Sequence, residues 1–283
     1  MAQLLVEERE ADYSPRPSSS SSSAALDSNP GRLEEPYSYP NKRRTTRILD
    51  LHSGTGSVLK AIITILDPNG NLYEVITIDW DPKFFPTLVA DVRDWREVLG
   101  ALDAKYIVPG YFDIIWSSPD CRKLSITNHS PTAEEIREAL EVVQATLDCI
   151  EHLNPPSWFI ENPQGRLRQQ QMMKDLDCFY LTTTYCMYGT PYRKPTNFWT
   201  NVVGIELDYC CKNSRCKWLS QGRARHCRIA QNGGSNGRSN GVPRETAYQV
   251  PQELMRILMG GAITQACERR REDERAKARA RRA

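Results

Sequence analysis

Four short apolar runs in this chain stop on small, acidic or amide residues. They are "RILDLHSG" from Arg47, "YEVITID" ending at Asp79, "FDIIWSS" from Phe112 and "SWFIENP" from Ser157. What lies between them has helical character. "GSVLKAIITIL" follows the first run, and "SPTAEEIREALEVVQATLDCIEHL" precedes the fourth. In the latter, Thr132 and Glu135 have capping-box spacing. Ile136, Leu140, Val143, Leu147 and Ile150 recur there on one helical face. "QGRLRQQQMMKDL" predicts another helix, and "CFYLTTTYC" and "NFWTNV" two further strands. Strands that alternate with helices predict an α/β fold with a mostly parallel sheet covered on both faces.

The flanks have a different texture. Residues 1–45 include "SPRPSSSSSSAALDSNPGRLEEPYSYP", a Ser- and Pro-rich tail that is expected to be disordered, because it cannot bury enough apolar surface to offset its ordering. Residues 46–209 carry the strand and helix pattern. From 210 to 244 the period breaks down in a small, irregular, basic and Cys/Gly-rich segment. Helical spacing returns in "VPRETAYQVPQELMRILMGGAITQ", so 245–267 are read as a return to the main domain, and 268–283 as a solvated charged helix or tail. No apolar run approaches a membrane span, and no charged-then-apolar leader is visible, so no membrane partner is expected. Nine cysteines at irregular spacing do not read as a secreted disulfide framework. An intracellular setting, nucleus or cytoplasm, is the expectation, with the chain acting as a monomer.

Two motifs place ligand chemistry at strand ends, where open α/β sheets bind their ligands. "DLHSGTGSV", Asp50 to Val58, sets Ser53, Gly54 and Gly56 where the first strand turns into the first helix. Glycine there lets backbone approach a ligand, and the helix start offers free N–H groups. Asp79 ends the next strand, where a carboxylate can accept both hydroxyls of a ribose. Trp80 beside it can stack on an adenine, or be plain core. Asp91 follows "PTLVA" and can accept from an adenine amino group. No Lys follows the glycines as in a phosphate-binding loop, so a triphosphate is disfavoured and an adenosine ligand of low charge, such as S-adenosylmethionine, fits better.

The second motif is "SSPDC", which puts Pro119 and Cys121 just past the "FDIIW" strand, with Glu161 and Asn162 past the "WFI" strand that would neighbour it. A thiol and a carboxyl group converging on one cleft suit nucleophilic attack on an electron-poor ring that the acid protonates or hydrogen-bonds.

Taken in order, "DLHSGTGSV", "IDWD", "ADVRDW", "SPDC", "FIENPQGRLR" and "YGTPYRKPTNFWTN" resemble the motifs of the C5-cytosine DNA methyltransferases, closest to a compact branch common in phages and large viruses. The resemblance covers roughly Arg47 to Asn201, with a weaker echo to Gln265. It implies a Rossmann-like, S-adenosylmethionine-dependent methyltransferase fold. It also implies that Cys121 adds to C6 of a flipped cytosine, that Glu161 holds N3 and the exocyclic amine, and that Asn162 braces the cysteine loop. Lys194 falls where the family usually has an arginine that helps place the ring. Asp50, Ser53, Gly54, Gly56, Asp79, Trp80, Asp91 and Pro119 would line the cofactor site. Asp120 stands where the family has the second proline of Pro-Pro-Cys, and Tyr192 and Thr196 stand where it has Gln and Arg. A neighbouring carboxylate at 120 opposes thiol activation, while Arg122 and Lys123 favour it.

The chain carries a net charge of +2, yet Tyr209 to Arg244 holds eight Lys or Arg and no acid, so the remainder is six units negative. Such a patch suits a nucleic acid, with a merely soluble loop as the other reading; the resemblance implies DNA as the partner, with RNA as the alternative because tRNA methyltransferases share this fold. A non-catalytic DNA-binding relative is the third reading. Within the patch, Cys211, Cys216, His226 and Cys227 have a spacing that could hold a structural zinc, looser than a Cys-x2-Cys knuckle, with free thiols as the other reading.

Overall fold

The structure, a computed structural model, describes residues 45–64, 72–125, 130–209, 216, 218, 226 and 241–282. Their strands are β1 (Thr45–Leu51), β2 (Leu72–Asp79), β3 (Leu88–Val89), β4 (Ile114–Ser117), β5 (Ser157–Pro163), β6 (Phe179–Thr184) and β7 (Pro195–Thr200). The helices are α1 (Ser57–Thr64), α2 (Trp95–Leu102), α3 (Ala133–Leu153), α4 (Gln171–Lys174), α5 (Arg244–Tyr248) and α6 (Gln252–Ala280).

The strands form one sheet in the order β3-β2-β1-β4-β5-β7-β6. Pairings from β3 through β5 are parallel, and β7 runs antiparallel to both β5 and β6. The expected α/β, Rossmann-like architecture is therefore present. The chain winds outward from β1 in both directions, so the switch point of the topology lies between β1 and β4. The crevice past their C-terminal ends is where such sheets bind ligands.

Alternation along each central strand divides the apolar side chains between two layers. Ile48, Ile114, Trp116, Phe159 and Phe198 pack on one face against Val58 and Ala61 of α1 and Leu254, Leu258 and Met259 of α6. Leu49, Leu51, Ile115, Ile160 and Trp199 pack on the other against Leu99 of α2 and Val143, Ile150 and Leu153 of α3. Both faces are covered, which is why the strands read as nearly continuous apolar runs. The α3 capping box is present. Glu135 N donates to Thr132 Oγ1 at 3.1 Å, and Thr132 N donates to Glu135 Oε2 at 2.9 Å.

The end of "NFWTN" has a structural task. Trp158 N donates to Asn201 Oδ1 at 2.9 Å, Asn201 Nδ2 donates to the Pro156 carbonyl at 3.1 Å, and Thr200 Oγ1 donates to the Trp158 carbonyl at 2.6 Å. These side chains extend the β5–β7 ladder beyond its backbone bonds.

One stretch differs from the sequence expectation. "QGRLRQQQMMKDL" is not one helix but a 3-10 turn at Leu167–Gln169 and the single turn α4, separated by Gln170 in an extended conformation. Its first residues are tied to the loop after β4, which holds them off a helical path. The charged residues after 267 continue α6 without a break to Ala280. Arg270 anchors that continuation. Its Nε donates to Asp113 Oδ1 at 2.6 Å and its guanidinium forms an ion pair with the same carboxylate, which also accepts from Arg47 N at 2.8 Å. Asp113 is buried at the start of β4, at the sheet edge away from the switch-point crevice. No helix among the described residues is long and apolar enough to cross a membrane.

Removing one partner of a buried ion pair leaves an uncompensated charge, at a cost of roughly 3 kcal/mol. Arg270→Ala is therefore expected to lower the urea midpoint of unfolding by that equivalent. The double variant Arg270→Leu with Asp113→Leu should recover part of the loss. Equal midpoints for wild type and Arg270→Ala would show that the pair contributes nothing.

Candidate active site

The strand register assembles the site. Leu51 of β1 pairs with Ser117 of β4, and Ser117 pairs with Ile160 of β5. The turn after β1, the loop carrying Cys121, and Glu161 therefore leave the sheet at one edge and one level. Leu51 also pairs with Ile78, so Asp79 joins the same edge from the other side.

The β1–α1 turn is built on left-handed backbone. Gly54 (φ +48°) and Gly56 (φ +72°) adopt it cheaply, whereas His52 (φ 64°) does so with a bulky side chain. Gly54 N donates to Asp79 Oδ2 at 2.7 Å and Asp81 N donates to Asp79 Oδ1 at 2.9 Å, so Asp79 fastens the turn to the end of β2. A Cβ built at Gly56 would meet nothing within 4 Å. The turn is open. Trp80 is 60% exposed, which removes the reading of it as core. Asp91 is engaged by Arg93, from its backbone N at 2.9 Å and its guanidinium at 2.7 Å, so any further donor shares those oxygens.

Asp50 is buried under this turn, and neither of its carboxylate oxygens has a hydrogen-bond partner among the described residues. Burial first, and the neighbouring Asp79 second, raise its pKa well above the carboxylate range. A buried acid in that condition calls for a cationic or donor group. An ammonium beside Asp50, a ribose at Asp79 and an adenine on the open Trp80 plane together suit an amino-acid-bearing adenosine, so the residues present fit S-adenosylmethionine.

Across the crevice, the loop after β4 is bolted to the extension of β5. Asn162 Nδ2 donates to the Pro119 carbonyl at 2.9 Å, Arg166 N donates to the Leu124 carbonyl at 2.7 Å, and Arg166 Nη1 donates to the Ser125 carbonyl at 2.6 Å. Gly165 lies so close that an added Cβ would fall 2.4 Å from the Leu124 oxygen, and only glycine fits there. Cys121 is held in this loop half-buried. Asp120 turns to Arg122, accepting from its backbone N at 2.9 Å and its Nε at 2.7 Å. Burial pushes the Cys121 thiol up to about 11. Lys194 draws it down, and Glu161 and then Asp120 push it up.

Glu161, Tyr185 and Lys194 form a linked group beside the thiol. Tyr185, buried just past β6, donates its hydroxyl to Glu161 Oε1 at 2.9 Å. The Lys194 ammonium sits 4.7 Å from the centre of the Tyr185 ring and donates to the Ala247 carbonyl at 3.0 Å. Tyr192, also buried, donates to the Thr246 carbonyl at 3.0 Å. Val250 N donates to Ser57 Oγ at 3.2 Å. The α5 segment thus reaches both the Lys194 side and the first turn of α1.

No family model matches the chain. A curated relative, the probable DNA (cytosine-5)-methyltransferase of Frog virus 3 (isolate Goorha), is 29% identical over 230 residues, covering 75% of this chain and 98% of the viral one. The resemblance to the C5-cytosine DNA methyltransferases is borne out. Among solved structures, the Entamoeba histolytica methyltransferase EhMeth superposes with a TM-score of 0.43 at 13% identity over 64% of this chain and 61% of that one. The Schizosaccharomyces pombe Dnmt2 methyltransferase gives 0.40 at 17% identity over 57% and 51%. The chain thus spans between half and two thirds of those two proteins.

The structure brings together Cys121, Glu161, Asn162 and Lys194 on one side, and Asp50, Ser53, Gly54, Gly56, Asp79 and Trp80 on the other. Cys216 and His226 also lie together, while Cys211 and Cys227 fall outside the described residues. Sequence reasoning missed Tyr185, whose signal was its place just past a strand and opposite "RKPT". It also missed His52, whose Nδ1 lies 3.1 Å from Ser117 Oγ while its buried Nε2 has no partner among the described residues. Burial lowers the His52 pKa to about 4, against the pull of the Leu51 backbone, Asp91 and Asp120, so a neutral ring lies under the crevice.

The thiolate is the reactive form of cysteine, and a pKa near 11 leaves about one part in ten thousand ionised at pH 7. Raising the pH populates it, so alkylation of Cys121 by iodoacetamide should accelerate roughly tenfold per pH unit between 7 and 9. At fixed pH, Lys194→Met should slow the reaction and Glu161→Gln should speed it, each by roughly three- to tenfold. Peptide mapping by mass spectrometry reads all three rates. The reverse order would refute the assignment of these charges to the thiol.

Proposed function

We propose that this chain is an S-adenosylmethionine-dependent DNA (cytosine-5)-methyltransferase. The observation that carries the reading is the meeting of Cys121 and Glu161 on adjacent strand ends, with Lys194 and Tyr185 beside them and the Asp50–Asp79–Trp80 turn across the switch point. The printed name of the viral relative supports the same substrate.

When bound, S-adenosylmethionine supplies an electrophilic methyl group on a sulfonium. Asp50 would receive the ammonium of its amino-acid part, Asp79 the ribose hydroxyls, Trp80 one face of the adenine and Asp91 its amino group. Ser53, Gly54 and Gly56 would bring backbone close to it, with Pro119 on the border toward the thiol.

The target carbon cannot be reached inside a duplex, so the cytosine is turned out of the stack, at a cost of a few kcal/mol. As Cys121 Sγ bonds to C6 its proton passes to water, and the electron pair of the C5–C6 double bond becomes available at C5. Glu161 hydrogen-bonds N3 and the exocyclic amine, stabilising the charge that develops on the ring. Tyr185 fixes Oε1 of Glu161, and Lys194 favours the thiolate. Once C5 carries the methyl group, water removes the C5 proton, the double bond reforms and Sγ departs. Asn162 keeps the Cys121 loop in register throughout.

Incubation of the full chain with methyl-labelled S-adenosylmethionine is expected to label cytosine-containing duplex DNA. Cys121→Ser should abolish labelling while leaving cofactor affinity near wild type. Label entering tRNA but not DNA would move the substrate to RNA, and turnover retained by Cys121→Ser would place the nucleophile elsewhere. Asp79→Ala should weaken cofactor binding by about tenfold or more in calorimetry, as expected for loss of hydrogen bonds to a charged acceptor. Unchanged affinity would exclude the proposed ribose contact.

A further inference from the structure

Three soft ligands meet just beyond β6. Cys186 follows Tyr185 in the turn after that strand, and its Sγ lies with Cys216 Sγ and a His226 ring nitrogen inside a sphere where all are within 4.8 Å of one another. Cys216 Sγ and His226 Nε2 are 3.4 Å apart. Both sulfurs are buried, and Met187 and Trp218 pack against them. The expected zinc group took all its ligands from the basic segment. Here the third comes instead from the catalytic sheet, 30 positions before Cys216.

We infer that Cys186, Cys216 and His226 bind a zinc ion that clamps the basic segment onto the turn carrying Tyr185. Zinc–sulfur bonds of about 2.3 Å and a zinc–nitrogen bond of about 2.0 Å at tetrahedral angles place sulfur and nitrogen about 3.5 Å apart. The observed Cys216–His226 separation is close to that. The donor set of two thiols and an imidazole selects zinc over magnesium or calcium, which prefer oxygen. Binding displaces a proton from each thiol, so the two thiolates neutralise the dication. The clamp also has a reason to exist. A stretch rich in Gly, Arg and Lys has little apolar surface with which to hold itself against the sheet, and a metal supplies the missing attachment. Because Cys186 adjoins Tyr185, and Tyr185 holds Glu161, the ion would fix the basic segment relative to the catalytic acid.

The inference stands apart from the methyltransferase reading, and its test does not use turnover. The full chain, stripped with chelator under reducing conditions and titrated with cobalt(II), is expected to develop sulfur-to-cobalt charge-transfer and tetrahedral d–d bands. These should saturate at about one metal per chain and reverse on addition of zinc. Cys186→Ser, and separately the less buried His226→Ala, should reduce the charge-transfer intensity or the affinity by roughly tenfold or more, with circular dichroism confirming that each variant is folded. No cobalt bands in the wild-type chain would overturn the site. So would bands of unchanged intensity and affinity in both folded variants, since the metal would then lie elsewhere.

Discussion

The candidate site depends on how the loop after β4 is fastened to the end of β5, beginning with the donation from the Asn162 amide to the Pro119 carbonyl. β4 and β5 are parallel and in register, so their ends arrive side by side, but parallel strands alone do not dictate where the next loop goes. Asn162, buried one residue after Glu161, takes hold of the loop just before Cys121 and turns it toward the carboxyl group. Its Oδ1 has no partner among the described residues, so the bond to Pro119 is the recorded attachment of that side chain. Sheet register brings the Cys121 thiol and the Glu161 carboxyl group near each other, and this amide, with Arg166, holds the thiol's loop beside the crevice.

The electrostatics of that crevice favour restraint over standing reactivity. A thiol held near 11 is a poor nucleophile at rest, and it is protected from adventitious alkylation and oxidation for the same reason. Asp120 adds less to this than its position beside the cysteine suggests, because Arg122 folds back on it through the backbone and the guanidinium. The larger opposition comes from burial, with Glu161 adding to it, and Lys194 is the counterweight. A ring that enters between Cys121 and Glu161 and binds the carboxyl group weakens one of the two charges that disfavour the thiolate. Activation would then accompany substrate entry.

Most of the sheet was legible because its strands are buried on both faces, and continuous apolar runs bounded by polar residues say so directly. The site residues at strand ends were legible for the same reason, since the end of a buried run is where side chains meet the crevice. Tyr185 and Cys186 were not, because nothing local distinguishes a residue that completes a strand from one that turns into a site. Their partners, Glu161 and Cys216, lie 24 and 30 positions away, and Glu161 meets Tyr185 through the β5–β7–β6 pairing. The broken helix after Gly165 was hidden in the same way. Its residues have helical propensity, but the backbone and side-chain donors of Arg166, at its start, are committed to Leu124 and Ser125. His52 reads in the sequence as one more polar residue in a turn, and only the left-handed backbone and the contact with Ser117 mark it out.

The contact between Gly165 and the Leu124 carbonyl makes two distant stretches of chain into one mechanical part. With no room for even a methyl group between them, the segment from Cys121 to Ser125 and the segment from Asn162 to Arg166 can change shape only together. A loop of another length after β4, transplanted from elsewhere, would have to bring its own β5 extension with it. Variation in this enzyme is therefore expected to be inherited in blocks at this edge and residue by residue elsewhere.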